Sequence, residues 1–444
     1  MKNLKFYISI FLARFVRVCI KLFSKSSGTS LAGMIVLKFY PEFLKHCSKY
    51  ILNEKISVTG TNGKTTTSGM LSQILIENKR HIIHNSMGAN MLTGIANVFA
   101  TTVLPGYRYD NCVLESDEAY LSKLYDYITL DYLIVTNLFR DQLDRYGELD
   151  TTAKKIQSAI DKNKNLTLLL NADDPLVANL GKENRKIYYG FEEIELFTKN
   201  KKSNEPSEVF NCVCGKKLQY SKTFYAQQGH YYCDCGYKRP VCNYMGYAKI
   251  YDEYIELKIK HNENITEYKL NTVGIYSAYN MLASISMALE LGFNQEQIQS
   301  GLNNYKAMFG RAEKTKINGH DTIIQLIKNP TGASEVLKTV DLNSRILIAI
   351  NDNFADGRDV SWLWDAEFEL LKDTKNEIIT SGLRADDMAL RLKYAGVEKE
   401  KIKVIMDLNK AVKYVANNCK NDEKITVLPT YTALLELKEK KGKI

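Results

Sequence analysis

The chain has 444 residues, enough for two or three domains with their own hydrophobic cores. Hydrophobic residues make up 45% and charged residues 25%, ordinary values for a soluble globular protein that set aside classes with strongly biased composition. The net charge of +9, from 60 basic and 51 acidic residues, mildly favours anionic partners such as phospholipid, nucleotide or pyrophosphate.

Residues 4–23 predict a helix in which basic residues interrupt the apolar ones. The longest uncharged run, Phe6 to Ala13, is too short to span a bilayer. The interrupting charges, with no small-residue cleavage site after them, argue against a signal peptide. The helix therefore either packs on its own protein or lies on an anionic membrane surface. We assign residues 1–44 to this helix and its lead-in.

Residues 56–67 join a predicted strand to a predicted helix through a glycine-bearing turn. Such a turn directs backbone N–H groups and the positive end of the helix at an anion. Lys64 is expected to reach the outer phosphates, and Thr65 to ligate Mg²⁺. The two glycines enclose two residues, whereas the general P-loop pattern has four. The stretch predicts an ATP-binding loop whose contacts are Gly60, Thr61, Asn62, Gly63, Lys64, Thr65 and Thr66.

Two further strands are predicted to end beside this loop. One ends at Glu115, where a carboxylate is well placed to hold Mg²⁺ directly or through water. Asp117 and Glu118 are explained more simply as acidic residues at the start of a helix. The other strand, at 132–136, leads into a polar segment at 137–148.

Four cysteines form two tight pairs, each followed by glycine and separated by a tyrosine-rich stretch that predicts a hairpin. Eighteen residues lie between the pairs, which reads as a zinc ribbon at about 205–245. The alternatives are reduced cysteines or a disulfide, and the absence of a signal peptide favours a reducing cytoplasm over a disulfide. Four thiolates leave no open position, so the zinc would be structural. The predicted ligands are Cys212, Cys214, Cys233 and Cys235, with Cys242 as a possible substitute.

Residues 315–444 predict a second α/β unit. Strands at 321–327, 345–350, 377–380 and 401–405 alternate with helical patterns, which indicates a mainly parallel sheet. Its distinctive loops are 328–332, 351–362, 381–387 and 428–432. The second contains Trp362, and the chain's other tryptophan, Trp364, follows it directly.

The loop Thr-Gly-Thr-Asn-Gly-Lys-Thr-Thr resembles the ATP loop of the Mur ligases, and folylpolyglutamate synthetases resemble it too. Glu115 matches the metal glutamate of the Mur ligases. Residues 136–144 resemble their Thr-Asn-x-x-x-Asp-His-Leu-Asp segment, with Gln142 in place of the metal-binding histidine. The helix at 274–284 keeps the later asparagine of the family as Asn280, and Arg311 lies in a Gly-Arg-x-Glu match. The resemblance implies that Asn280 and Arg311 contact the nucleotide.

Within that superfamily, the chain resembles the synthetase subunits of lipid II isoglutaminyl synthases in three respects: the short segment before the ATP loop, the zinc insertion and the C-terminal loops. The short segment leaves no room for a uridine-nucleotide-binding domain. The fold expected is a Mur-ligase-like P-loop ATPase domain at 45–314 with the zinc-ribbon insertion, and a Rossmann-like α/β domain at 315–444.

The same resemblance implies a reaction and its partners. ATP would phosphorylate the α-carboxyl of D-glutamate in lipid II, and ammonia would replace the phosphate to give D-isoglutamine. The ammonia would come from a GatD-like glutaminase in a heterodimer. The heterodimer would be located in the cytoplasm, with peripheral attachment to the inner face of the plasma membrane as an option. No nucleic-acid partner is expected. A free-standing amino-acid ligase and a P-loop ATPase switch stay open as other functions.

The glutaminase would supply a cysteine and a histidine, and the resemblance implies that an aspartate of this chain completes the triad. A histidine base needs such a carboxylate to fix its tautomer. Asp356 is favoured because Gly357 lets another backbone approach closely, with Asp352 as the second choice. The alternative is that these aspartates only cap a helix beginning near Trp362.

Overall fold

The computed structural model describes residues 2–23, 29–85, 89–139, 148–197, 211–212, 214–306, 310–420 and 423–440. The α-helices are α1 Lys2–Phe23, α2 Thr29–Phe39, α3 Phe43–Cys47, α4 Lys64–Glu77, α5 Leu92–Thr102, α6 Leu121–Tyr125, α7 Glu148–Ile160, α8 Pro175–Ala178, α9 Ile275–Glu290, α10 Gln295–Asn304, α11 Pro330–Lys338, α12 Ala385–Tyr394, α13 Leu408–Asn418 and α14 Tyr431–Lys440.

The strands are β1 Lys55–Thr59, β2 Ile82–His84, β3 Asn111–Glu115, β4 Tyr132–Val135, β5 Thr167–Asn171, β6 Lys186–Leu196, β7 Gln219–Tyr225, β8 Gln228–Tyr232, β9 Tyr244–Ile250, β10 Ile255–His261, β11 Asn264–Leu270, β12 Arg311–Ile317, β13 His320–Gln325, β14 Arg345–Ala349, β15 Ile378–Ser381, β16 Ile402–Val404 and β17 Ile425–Pro429. Short 3₁₀ helices lie at Ser48–Tyr50, Ser361–Trp364, Phe368–Leu371 and Lys399–Lys401.

The first sheet has nine strands in the order β11-β10-β9-β6-β5-β4-β1-β3-β2. The seven strands from β9 to β2 in this order are all parallel to their neighbours. Strands β10 and β11 extend the sheet beyond β9 as an antiparallel edge. Strands β3 and β5 are buried along their whole length, as expected for parallel strands covered on both faces. The predicted α/β class is confirmed.

The second sheet has the order β12-β13-β17-β14-β15-β16, parallel except for the β12–β13 hairpin. The four strands predicted in this region correspond to β13 to β16. The interpretation of 428–432 as a loop is wrong for Leu428 and Pro429, which lie in the central strand β17. A five-residue segment is too short for its periodicity to identify a strand, and the proline at its last residue resembles a turn signal.

Helix α1 packs on the protein with one face and leaves an apolar face exposed. The Phe6 ring is buried and lies 4.1 Å from the His46 ring, and Nη2 of Arg14 donates to the carbonyl oxygen of Val103 at 3.0 Å. On the other face the exposed apolar residues are Leu4, Tyr7, Ile8, Phe11, Phe15 and Val18. No helix among the described residues combines the length and apolar character needed to cross a bilayer.

Candidate active site

The turn between β1 and α4 has the shape of a phosphate-binding loop. Gly60 has a φ of +125° and Gly63 a φ of +86°, values that residues with side chains rarely adopt. A Cβ atom on Gly63 would lie 2.1 Å from Oδ1 of Asn280, so a side chain there would collide with helix α9. The turn leads directly into the N-terminus of α4, whose backbone N–H groups favour an anion.

The side chain of Lys64 folds back over this turn. Its Nζ donates to the carbonyl oxygen of Gly60 at 2.5 Å and lies 2.9 Å from Oε1 of Glu118. Burial by itself lowers the pKa of Lys64. The negative charge and hydrogen bond of Glu118, together with the charges of Glu115 and Asp117, more than offset this, so the pKa is raised above its ordinary value. Lys64 is therefore a charged cation inside the loop.

Glu115 and Thr65 come together at the carboxyl end of β3. The Thr65 hydroxyl donates to Oε2 of Glu115 at 2.8 Å, and Nδ2 of Asn90 lies 3.4 Å from the other carboxylate oxygen. Asn85 fixes the Glu115 backbone by accepting from its N–H and donating to its carbonyl oxygen, each at 2.8 Å. Carboxylate and hydroxyl oxygens are ligands that Mg²⁺ prefers, so this pair fits a magnesium ion.

The segment after β4 supports the loop from its other side. The carbonyl oxygen of Asn137 accepts from the Thr61 N–H at 2.9 Å, and its Oδ1 accepts from the Asn62 N–H at 2.9 Å. The N–H of Phe139 donates to the Thr61 hydroxyl at 3.0 Å. No such role was predicted for Asn137, although its position directly after a predicted strand was a usable signal. Residues 140–147, including Gln142, lie outside the described residues.

A cleft opens between the phosphate loop and the second sheet. Nδ2 of Asn329, in the loop after β13, lies 3.3 Å from Oδ1 of Asn62. Nδ2 of Asn62 is buried and has no hydrogen-bond partner within the described part of the chain, so a bound ligand can satisfy it. Together with the glycine-shaped turn and the Lys64 cation, this orphaned amide fits a nucleotide. The cleft is also lined by Thr66, Tyr225, Tyr276, Lys328 and Glu335.

Asn280 and Arg311, which lie farther along the chain, were also predicted to contact the nucleotide. The structure describes the side chain of the first of these. Asn280 lines the cleft from α9, and its Oδ1 accepts from the Thr67 hydroxyl at 3.3 Å. Arg311 begins β12, and its side chain lies outside what the structure describes. Its neighbours Gly310 and Ala312 both line the cleft.

The four predicted cysteines converge at the base of the β7–β8 hairpin. Their sulfur atoms all lie within 4.8 Å of one another, with 3.5 Å between Cys212 and Cys235 and 3.6 Å between Cys214 and Cys233. Tetrahedral zinc with Zn–S bonds of about 2.3 Å separates its sulfurs by about 3.8 Å, so the cluster fits a structural zinc ion. Cys242 is buried outside this group, and burial raises the pKa of its thiol.

The Asp356 carboxylate is held by contacts within the chain. It accepts from the Thr432 N–H at 2.7 Å, from the Thr432 hydroxyl at 2.5 Å and from the Asn353 N–H at 3.1 Å. The Thr432 N–H belongs to the first turn of α14, which has no helical acceptor for it. Asp356 therefore fixes the start of α14 and has a defined orientation on a half-exposed loop.

The other loop aspartates have different contacts. Asp352 pairs with Arg384 at 2.7 Å. Asp359 accepts from the Ser361 N–H at 2.8 Å, at the start of the 3₁₀ helix Ser361–Trp364. The N-cap residue of that 3₁₀ helix is Val360, which makes no side-chain cap hydrogen bond, so the contact of Asp359 is a local turn before the helix and not the cap that the alternative described.

Comparisons with known proteins agree with this architecture over most of the chain. The profile of the Mur ligase middle domain matches residues 58–288, and that of the MurT ligase C-terminal domain matches residues 326–434. A Streptococcus pneumoniae protein named lipid II isoglutaminyl synthase (glutamine-hydrolyzing) subunit MurT is 36% identical, covering 93% of this chain and 92% of that protein. The protein of that name from Staphylococcus aureus is 35% identical, covering 98% and 97%.

Solved structures share the fold at low sequence identity. A pseudomurein peptide ligase type C from Methanothermus fervidus has a TM-score of 0.69 at 21% identity, covering 92% of this chain and 84% of that one. MurF from Acinetobacter baumannii has a TM-score of 0.65 at 14% identity, covering 92% and 79%. The Mur ligase fold with a separate C-terminal domain is therefore confirmed.

Replacing Lys64 by alanine tests the loop. Because the cation is in place to stabilise phosphate charge, we expect Lys64→Ala to lower the rate of ATP turnover on the order of 10²-fold with the fold intact. The matched control is Lys123→Ala at an exposed lysine, which should turn over ATP normally. Equal turnover by both variants contradicts the assignment.

Metal analysis tests the cysteine cluster. Protein purified without added zinc should contain about one equivalent, and Cys235→Ser should lose it because three thiolates bind zinc less tightly than four. Cys242→Ala should keep the zinc. A metal-free wild-type protein, or zinc retained equally by both variants, contradicts the site.

Proposed function

The chain belongs to the MurT family of Mur-type ligases, and on that premise we propose that it is the synthetase subunit that amidates the α-carboxyl of D-glutamate in lipid II. One observation carries the proposal: a Mur-type site with Lys64, Thr65 and Glu115 lies in a chain that matches proteins named lipid II isoglutaminyl synthase subunit MurT over nearly its full length. A free-standing amino-acid ligase is not favoured by those relatives.

The chemistry needs an activated carboxylate, because a carboxylate oxygen is a poor leaving group. ATP supplies a phosphoryl group: a carboxylate oxygen of D-glutamate attacks the γ-phosphorus, and ADP leaves. Ammonia then attacks the acyl carbon, phosphate leaves with the carboxylate oxygen, and a proton is lost from nitrogen. The product is D-isoglutamine, the α-amide of D-glutamate.

The residues of the loop have separate tasks in this scheme. Lys64 compensates the negative charge that develops on the phosphates, and Thr65 with Glu115 would hold Mg²⁺. Gly60, Thr61, Asn62, Gly63 and Thr66 would bind the phosphates through the loop, and Asn280 and Arg311 would contact the nucleotide. We keep the boundaries 1–44, 45–314 and 315–444 as the corresponding domain proposal.

The substrate ammonia would come from a glutaminase partner. The relatives' name contains the words glutamine-hydrolyzing and subunit, and such a partner needs a carboxylate to orient its histidine base. Asp356 is the best candidate because its carboxylate is fixed by Thr432 and Asn353, while that of Asp352 is already paired with Arg384. The exposed Phe354 beside it, 91% accessible, offers an apolar contact for the partner.

We also propose that α1 holds the enzyme at the cytoplasmic membrane surface, where a lipid-linked substrate is found. Its inner face is packed on the protein, so its exposed outer face is available for another surface. Phe11 and Phe15 on that face are 70% and 56% accessible, and Arg17 on the same helix can meet anionic headgroups.

Mass spectrometry of lipid II tests the reaction and Asp356 together. Wild-type protein with ATP and ammonium should amidate lipid II without a partner, lowering the muropeptide mass by about one unit. With glutamine it should do so only in the complex. Asp356→Asn in the complex should lose most activity with glutamine and keep it with ammonium, because the amide cannot stabilise an imidazolium.

The control for this experiment is Asp359→Asn, which removes a carboxylate from the same loop. It should behave as wild type with both nitrogen sources. Equal loss by Asp356→Asn with glutamine and ammonium would place Asp356 in the synthetase site, and no loss would leave it as a helix cap. Absence of amidation by wild type with ammonium overturns the proposed reaction.

Vesicle sedimentation tests α1. The double variant Phe11→Ser/Phe15→Ser should bind anionic vesicles more weakly than wild type, and salt should weaken the remaining binding. Phe197→Ser, at an exposed phenylalanine after β6, should bind as wild type. If intact wild-type protein does not bind vesicles, the membrane role of α1 is excluded.

A further inference from the structure

The hairpin that carries the four-cysteine cluster exposes one face near its base, whereas its tip is buried throughout. Gln219, Ser221 and Lys222 near the base are exposed. At the tip, the residues Phe224, Tyr225, Ala226, Gln227 and Gln228 are each 9% accessible or less. The tip is therefore part of the central core, although the four-cysteine cluster lies at the other end of the hairpin.

One side chain of the tip holds the backbone next to the active site. Nε2 of Gln227 donates to the carbonyl oxygen of Leu138 at 2.7 Å and lies 3.4 Å from Oδ2 of Asp174. The same oxygen of Asp174 accepts from the Leu138 N–H at 2.9 Å. Both backbone polar groups of Leu138 are thus fixed, one by Gln227 and the other by Asp174.

Leu138 lies between the two residues that support the phosphate loop. Asn137 accepts from the N–H groups of Thr61 and Asn62, and the N–H of Phe139 donates to Thr61. The hairpin reaches this segment a second time, because the Tyr225 ring lies 5.0 Å from the Phe139 ring.

We propose that the cysteine ribbon positions the phosphate loop, with Gln227 as the positioning residue. The cluster fixes the base of the hairpin, its tip fixes residues 137–139, and these fix Thr61 and Asn62. The inference rests on the proposed binding of ATP at this loop. The proposal gives the inserted hairpin a role at the active site and accounts for the burial of its tip in the central core.

The physical reason is the cost of a buried polar group without a partner. Without the Gln227 amide, the Leu138 carbonyl has lost its donor in a water-poor interior, and the segment must shift to find another. A loop that binds phosphate with backbone N–H groups works only if those groups are already oriented. A shift of residues 137–139 would therefore weaken nucleotide binding without touching a phosphate contact.

Calorimetric binding of a non-hydrolysable ATP analogue tests the proposal. Gln227→Met keeps the length of the side chain and removes its donor, and we expect binding about tenfold weaker, with the zinc content unchanged. The matched control is Gln219→Met, the same substitution at the exposed base of the same hairpin, which should bind as wild type. Wild-type affinity in folded, zinc-loaded Gln227→Met overturns the proposal.

A second measurement needs no variant. Hydrogen exchange of the wild-type protein, with and without a zinc chelator, should show faster exchange in residues 59–64 and 136–139 once zinc is released. Unchanged exchange there after zinc loss overturns the proposal even if Gln227→Met does not fold. If wild type and Lys64→Ala bind the analogue equally, the ATP site itself is wrong, a result separate from that for Gln227.

Discussion

Strand β1 lies between β3 and β4, and this parallel pairing determines the geometry of the site. In register, Val58 pairs with Glu115 and Thr59 with Val135, so the three strands end at the same level. Their carboxyl ends therefore deliver the phosphate loop, the Glu115 carboxylate and the Asn137 support to one edge of the sheet. Segments far apart in the sequence form one site because the hydrogen bonds between paired strands fix where each strand ends relative to its neighbours.

The same edge of the sheet also has to stabilise the charge of a buried lysine. Lys64 is largely buried, and a buried cation without a counter-ion is strongly unfavourable. Glu118 supplies that counter-charge at 2.9 Å, and Glu115, hydrogen-bonded to Thr65, is a second carboxylate nearby. Two carboxylates around one lysine and one hydroxyl give a site able to accept both an anion and a divalent cation.

Sequence predicted the features that depend on local pattern. The turn with Gly60 and Gly63, the strand-end Glu115 and the paired cysteines each carry their chemistry within a few residues. It missed β17 because a short strand ending in proline has no clear period. It also missed the contacts of Glu118 with Lys64, Asn329 with Asn62 and Gln227 with Leu138. Each of these contacts joins residues that only the assembled fold brings together. The sequence around a polar loop residue does not indicate which distant residue it will contact.

The second sheet supports two of the candidate site loops on one element. Asn329, which contacts the phosphate loop, follows β13, and the Asp356 loop follows β14. Strand β17 lies between them, so the two loops leave the same edge about 10 Å apart, two strand spacings. Asp356 also bonds to Thr432, which follows β17, and this ties its loop to the central strand. A displacement of the Asp356 loop therefore has to break its hydrogen bonds to Thr432 or move the start of α14, which directly follows β17. The loop that contacts Asn62 follows the strand on the other side of β17, so the two loops share this strand as their common support.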